Sequence, residues 1–159
     1  MSVTPEQLVA RAEIADLLHA YCRHADAGDV EGMVACYADD CTSNLFGDAP
    51  DRTLHGSGAV RDLLSPLLGK VTTGSHYLSN LEYAFAGADE CALLVYMYSH
   101  QCFAPGTDVP ERERWGRYEV RVRRIGGRWL IQDLRLFAAH ERGGPRTAEQ
   151  VGRPFPPRF

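Results

Sequence analysis

Apolar residues recur at helical spacing through the first part of the chain and alternate with polar ones through the second. Ile14, Leu17, Leu18, Tyr21, Cys22 and Ala25 fall on one face of a helix. Thr4-Pro5-Glu6-Gln7 precedes them as a start signal: threonine caps, proline suits the first turn, and Gln7 completes a capping box. Gly28 ends that helix, and Asp29 caps a second one striped by Val30, Met33, Val34 and Tyr37. CTSNLF then reads as a short strand, GDAPDR as a turn and TLH as a second short strand. Ser57 caps a third helix carrying Val60, Leu63, Leu64, Leu67 and Leu68, which Pro66 should end or kink.

After residue 73 the pattern becomes extended. Strands are predicted near 74–86, 91–103, 112–125 and 128–140. Ala-Gly-Ala-Asp-Glu makes the first turn, residues 104–110 a longer loop, and Gly126-Gly127 a tight hairpin. Helices followed by a strand meander predict an α+β fold, with N-terminal helices packed on one face of a curved antiparallel or mixed sheet. Such a sheet, roofed by helices, encloses a pocket of small-molecule size. Residues 1–140 form the domain, and 141–159 an irregular tail rich in Gly, Pro and Arg. Phe155 and Phe159 make that tail either a plain terminus or a lid over the pocket mouth.

Composition narrows the class. With 159 residues, 45% hydrophobic and 24% charged, the chain is an ordinary globular protein of one domain. A net charge of −4 supplies no field that would attract nucleic acid. No apolar run is long enough to span a membrane, and MSVTPEQ lacks the order of a secretory signal. Cysteines 22, 36, 41, 91 and 102 form no CxxC pair and fit free thiols in a reducing cytoplasm, where the protein is expected to reside.

Three residues stand out as candidate chemistry. Asp26 follows Cys22 by one helical step, so a long first helix puts it on the buried stripe, where a carboxylate is costly unless paired. It is otherwise a turn residue of HADAGD, although Asp29 is better placed as a cap. In GSHYLSN, alternation puts His76, Leu78 and Asn80 on one face. A buried structural histidine is the competing reading. His100 ends LLVYMYSHQ and shares its face with Leu94, Tyr96 and Tyr98, a mix of imidazole and hydroxyls that fits a site or an interface strand equally well. His19 and His24 do not share a helical face, and His55 and His140 flank other elements. No metal-ligand spacing, dinucleotide fingerprint, nucleophile elbow or phosphate loop occurs, so neither metal nor cofactor is expected. Arg112, Arg114, Arg117, Arg121, Arg123 and Arg124, interleaved with Glu111, Glu113 and Glu119, read as a solvated sheet face.

EIADLLHAYCRHADAGDVEGMVACYADDC resembles the N-terminal helix pair of SnoaL-like proteins, members of the nuclear-transport-factor-2-like superfamily. HGSGAVRDLLSPLL, SHYLSNLEYAFAGADECALLVYMY and WGRYEVRVRRIGGRWLIQDLRL continue that resemblance, in order, over about residues 6–140. It implies a cone-shaped α+β fold. The superfamily contains dehydratases, isomerases, polyketide cyclases and non-catalytic subunits, so fold leaves function open. The closest functional pattern is that of scytalone dehydratases, which implies Asp26 facing His76 inside the cone with His100 as a second histidine. Ala25 departs from it where a tyrosine is expected; Tyr21 or Tyr96 is the available substitute.

The expected activity is a lyase of the dehydratase type on a small apolar or aromatic-polyketide-like carbonyl compound. His76 is the expected base, Asp26 its orienting carboxylate, and His100 with Tyr96 or Tyr98 the group that polarises the carbonyl or protonates the leaving hydroxyl. Tyr21, Asn80, Tyr96 and Tyr98 are the expected substrate contacts. Isomerisation, ring closure and a non-catalytic ligand-binding role are the alternatives. The partners expected are a small-molecule substrate and further copies of the chain, as a homodimer or homotrimer joined through the sheet, with no nucleic acid and no membrane.

Overall fold

The computed structural model describes residues 3–46, 50–107 and 110–143. The expected tail beyond Gly143, with Phe155 and Phe159, lies outside the described residues.

Helix α1 spans Pro5–Asp26 and begins at the capping box: Gln7 N donates to Thr4 Oγ1 at 3.2 Å, and Thr4 N to Gln7 Oε1 at 3.1 Å. It buries Ala10, Ile14, Leu18, Tyr21, Cys22 and Ala25, so its stripe runs to the penultimate residue and Asp26 closes the helix. Gly28 turns the chain at φ +69°, a conformation that favours glycine. Helix α2 (Val30–Val34) is shorter than expected, with Asp29 capping it through Gly32 N at 2.9 Å. Tyr37 belongs instead to strand β1 (Tyr37–Asn44). A single turn at Pro50–Arg52 and the short strand β2 (Leu54–His55) lead to helix α3 (Ser57–Leu68). Gly56, not Ser57, occupies its N-cap, and the helix continues through Pro66 to Leu68.

Four long strands follow: β3 (Val71–Phe85), β4 (Glu90–Phe103), β5 (Glu111–Ile125) and β6 (Arg128–Arg142). The last runs past the expected domain limit at residue 140. The β5–β6 hairpin turns on Gly126 and Gly127, both at positive φ (58° and 79°). The six strands form one curved mixed sheet in the order β2-β1-β6-β5-β4-β3, with β1 parallel to β6 and every other pair antiparallel. No helix among the described residues is long and apolar enough to cross a membrane.

One core cluster joins the α1 stripe to Cys91, Leu93, Val95 and Met97 of β4, Tyr118, Val120 and Val122 of β5, and Trp129, Ile131, Leu134 and Leu136 of β6. Those residues define the inner face of the sheet. Pairing then carries that face, position by position, to the end where α1 meets β3.

Candidate active site

Asp26 reaches the sheet because Gly74 lets the helix end approach β3. A Cβ at position 74 would lie 2.9 Å from Asp26 Cα, closer than side chains tolerate. Both carboxylate oxygens of Asp26 then engage His76. Oδ2 accepts from the His76 backbone N–H at 3.1 Å, and Oδ1 lies 2.5 Å from ring Nδ1. The His76 side chain is 10% exposed and that of Asp26 26%, so the pair is largely shielded from water. A carboxylate can only accept, so this contact places a proton on Nδ1, and in the neutral ring the lone pair is then on Nε2. An imidazole held this way can act as a directed base.

The sheet register extends the site across three more strands. His76 pairs with Ser99, Ser99 with Arg114, and Arg114 with Glu141, so the four share the inner face in one row. A bulge between Trp115 and Gly116 switches the parity of β6, which turns Glu141 inward and His140 outward. Arg114 Nε meets Glu141 Oε2 at 3.0 Å, with both side chains mostly buried. The neighbouring row holds Gly74, Gln101 and Arg112. Arg112 Nη2 donates to Gln101 Oε1 at 2.6 Å, and its guanidinium lies 5.4 Å over the Phe103 ring. Burial and the nearby Arg114 charge push Arg112 down to about 10.

Arg112 and Arg114 therefore correct the solvated-face reading: they point into the fold. The signal was present in the parity. Counting back by twos from Val122, Val120 and Tyr118 passes Gly116 and arrives at Arg114 and Arg112.

Beneath the row lies a tyrosine cluster. Tyr21 meets Tyr37 and Tyr118 edge-on, at 5.9 and 6.2 Å between centroids. Burial pushes the Tyr21 and Tyr118 hydroxyls well up and Tyr37 to about 12. Cys22 rises to about 12 through burial and the Asp26 charge. Tyr21 is thus an inward residue packed in the core, and Tyr118 is near enough to Asp26 and Arg114 to feel both charges. These hydroxyls remain protonated donors at neutral pH.

The structure does not bring His100, Tyr96 or Tyr98 to the pair. Ser99 takes the inward position opposite His76, so its even-numbered neighbours face out. His100 Nε2 lies 3.5 Å from Glu111 Oε2, and the Tyr98 hydroxyl donates to Glu113 at 3.0 Å. Tyr77, Tyr98, Trp115 and His140 form an outer aromatic row with centroid spacings of 5.9, 5.4 and 5.3 Å. His100, Cys102 and Glu111 place potential metal-ligand atoms within 4.8 Å of one another on that outer side.

Asn80 also leaves the face of His76. It adopts φ +52° in a bulge between Ser79 and Glu82, is exposed, and hands the inner face to Leu81, Tyr83 and Phe85. A groove of about 610 Å³ lined by Glu13, Asp16, Leu17, His24 and Trp129 contains none of these candidate residues.

The model of the SnoaL-like domain matches residues 6–135. The chain belongs to the SnoaL-like family. Among solved structures, this SnoaL-like chain is similar to a scytalone dehydratase candidate from Novosphingobium aromaticivorans (TM-score 0.82, 21% identity, 94% of this chain and 97% of that one). It is also similar to a hexachlorocyclohexane dehydrochlorinase, LinA type 2 (0.74, 20%, 97% and 98%). A candidate aromatic ring hydroxylase from N. aromaticivorans matches as well (0.71, 21%, 79% and 86%). At such identities these likenesses establish the fold, and the three printed activities differ. No curated protein matches the sequence significantly.

Proposed function

We propose that this SnoaL-like protein is a lyase of the dehydratase type that removes a proton next to a carbonyl. The observation that carries the reading is the double engagement of Asp26 with His76, through the backbone N–H and through Nδ1. His76 Nε2 takes the proton, and Asp26 stabilises the imidazolium that results. The carbon–hydrogen electron pair moves onto the carbonyl as an enolate, which then forms the new double bond as the carbon–oxygen bond breaks. The imidazolium returns the proton to the departing hydroxyl, which leaves as water. Ser99 and Arg114, in the same row as His76, are the donors best placed for charge developing on the carbonyl oxygen. His100, Tyr96, Tyr98 and Asn80 have no part in this account. No step requires a metal or an organic cofactor.

The similarity to a scytalone dehydratase candidate and to a dehydrochlorinase supports elimination over other uses of the same base. Isomerisation and ring closure begin with the same proton abstraction and diverge only in where the proton returns. A non-catalytic reading treats Asp26–His76 as a buried structural pair. One experiment separates it from catalysis. A panel of β-hydroxy carbonyl compounds is incubated with the protein in deuterated water, and α-proton exchange and water loss are followed by NMR. Exchange by wild type that disappears in His76→Gln and Asp26→Asn, with thermal unfolding retained, supports the base. Exchange that persists in both variants overturns it.

The outer aromatic row completes the proposal as the surface through which copies associate into a homodimer or homotrimer. Tyr77 is 62% exposed there although the row is aromatic throughout. Light scattering should report a mass above the 17.6 kDa of one chain.

A further inference from the structure

We propose that Arg112 is the docking point for a carboxylate carried by the substrate, so that the site selects small carbonyl acids over neutral carbonyl compounds. The inference rests on the reading of Asp26 and His76 as the catalytic pair and adds the class of molecule they act on.

Arg112 differs from the arginines around it in what it touches. Arg114 has Glu141, Arg123 has Asp40, Arg124 has Glu13 and Arg142 has Glu113. Arg112 has only the neutral oxygen of Gln101 and the face of Phe103; among the described residues no carboxylate forms an ion pair with it. It is nevertheless partly buried and on the inner face. A guanidinium carries five donors in a planar fork that matches a carboxylate, and one hydrogen bond to an amide leaves most of them unused. Removing such a cation from water is costly unless an anion meets it.

The local charge points the same way. At this end of the inner face Arg114 holds the carboxylate of Glu141 and His76 holds that of Asp26, so neither is paired with Arg112. Asp26 does not supply the missing anion: its ion pair is with His76, two strands away, and among the described residues it forms none with Arg112. Burial and Arg114 lower Arg112 to about 10, with Glu141 opposing them, and leave the side chain charged at neutral pH.

Position fits a small substrate. The strands of His76 and Arg112 are separated by β4 alone, so their backbones lie about 9–10 Å apart across the sheet. Gln101 orients the guanidinium from the intervening strand. An acid whose carboxylate meets Arg112 therefore presents its interior carbons to the His76 side of the cone.

Cinnamate and cinnamamide, similar in shape and differing in charge, test the inference by calorimetric titration. Wild type should bind the acid about tenfold or more tightly than the amide. Arg112→Gln should abolish that preference, and Arg112→Lys, which keeps the charge without the fork, should weaken it. His76→Gln should keep it, because docking does not need the base. Equal affinities in wild type, no cinnamate binding at millimolar concentration, or a preference that survives Arg112→Gln overturns the proposal. Should Arg112→Gln fail to fold, an undiminished preference in Arg112→Lys overturns it equally. An Arg112-dependent preference in a protein that exchanges no α-protons supports the anion site and removes the catalytic reading alone.

Discussion

Two rows of side chains cross the same four strands, one residue apart and on opposite faces. The inner row, His76–Ser99–Arg114–Glu141, joins a carboxylate-held imidazole to a buried ion pair. The outer row, Tyr77–Tyr98–Trp115–His140, is a ladder of rings with an exposed end. Backbone, twist and hydrogen bonding are common to both. What separates them is the pleat, which sends successive residues to opposite sides, and the end of α1, which delivers a carboxylate to one side only. His76 and His100 illustrate the difference. Both are strand histidines beside an acid, yet His76 is shielded and clasped at 2.5 Å, whereas His100 is 35% exposed and 3.5 Å from Glu111.

The largest effect should come from exchanging one histidine for the other as the target. His76→Gln should lower α-proton exchange by about 10²–10⁴-fold, and His100→Gln should leave it at the wild-type level, both read by NMR in deuterated water. Loss in both variants would erase the distinction between the faces.

Next in size is the ion pair of each row. Glu141→Gln leaves Arg114 buried without its partner and should cost about 3–5 kcal/mol in denaturant unfolding. The outer pair, Arg142 with Glu113 at 3.2 Å, has an arginine that is 69% exposed. Arg142→Gln should therefore cost less than about 1 kcal/mol in the same measurement.

Gly74→Ala tests how the acid is delivered. The new methyl group meets Asp26 Cα at 2.9 Å and pushes the helix end off β3. A misplacement near 1 Å should reduce exchange by about 10²-fold, with a smaller loss of stability than Glu141→Gln. Unchanged exchange would show that the close approach is not what sets the geometry.

The smallest effect concerns the thiols. Burial pushes Cys22 up to about 12 and Cys36, Cys41 and Cys91 to about 11. Cys102, on the outer face, is only partly buried. Iodoacetamide at neutral pH should label Cys102 first in the folded protein, as read by peptide mass analysis.

Much of this architecture was legible from spacing. The α1 stripe continued to Ala25 and so placed Asp26 at a helix end. Alternation located all four long strands, and Gly126-Gly127 located the hairpin. Three features were not read correctly, each for a physical reason. β4 is apolar on both faces around Leu93, Leu94 and Val95, so its parity was ambiguous and His100 was assigned inward. β3 gains a residue at the Asn80 bulge, which strict alternation does not foresee. The glutamates interleaved with Arg112 and Arg114 read as a solvated face, although parity with Tyr118 and Val120 places both arginines inside.

The most direct test of the central claim is the tautomer of His76, read from ¹⁵N chemical shifts and one-bond couplings of the imidazole in the native protein. The account predicts a proton on Nδ1 and a free lone pair on Nε2 in wild type, with that preference lost in Asp26→Asn. A native His76 protonated on Nε2 instead would contradict it, because no lone pair would then be directed away from Asp26 to accept a substrate proton.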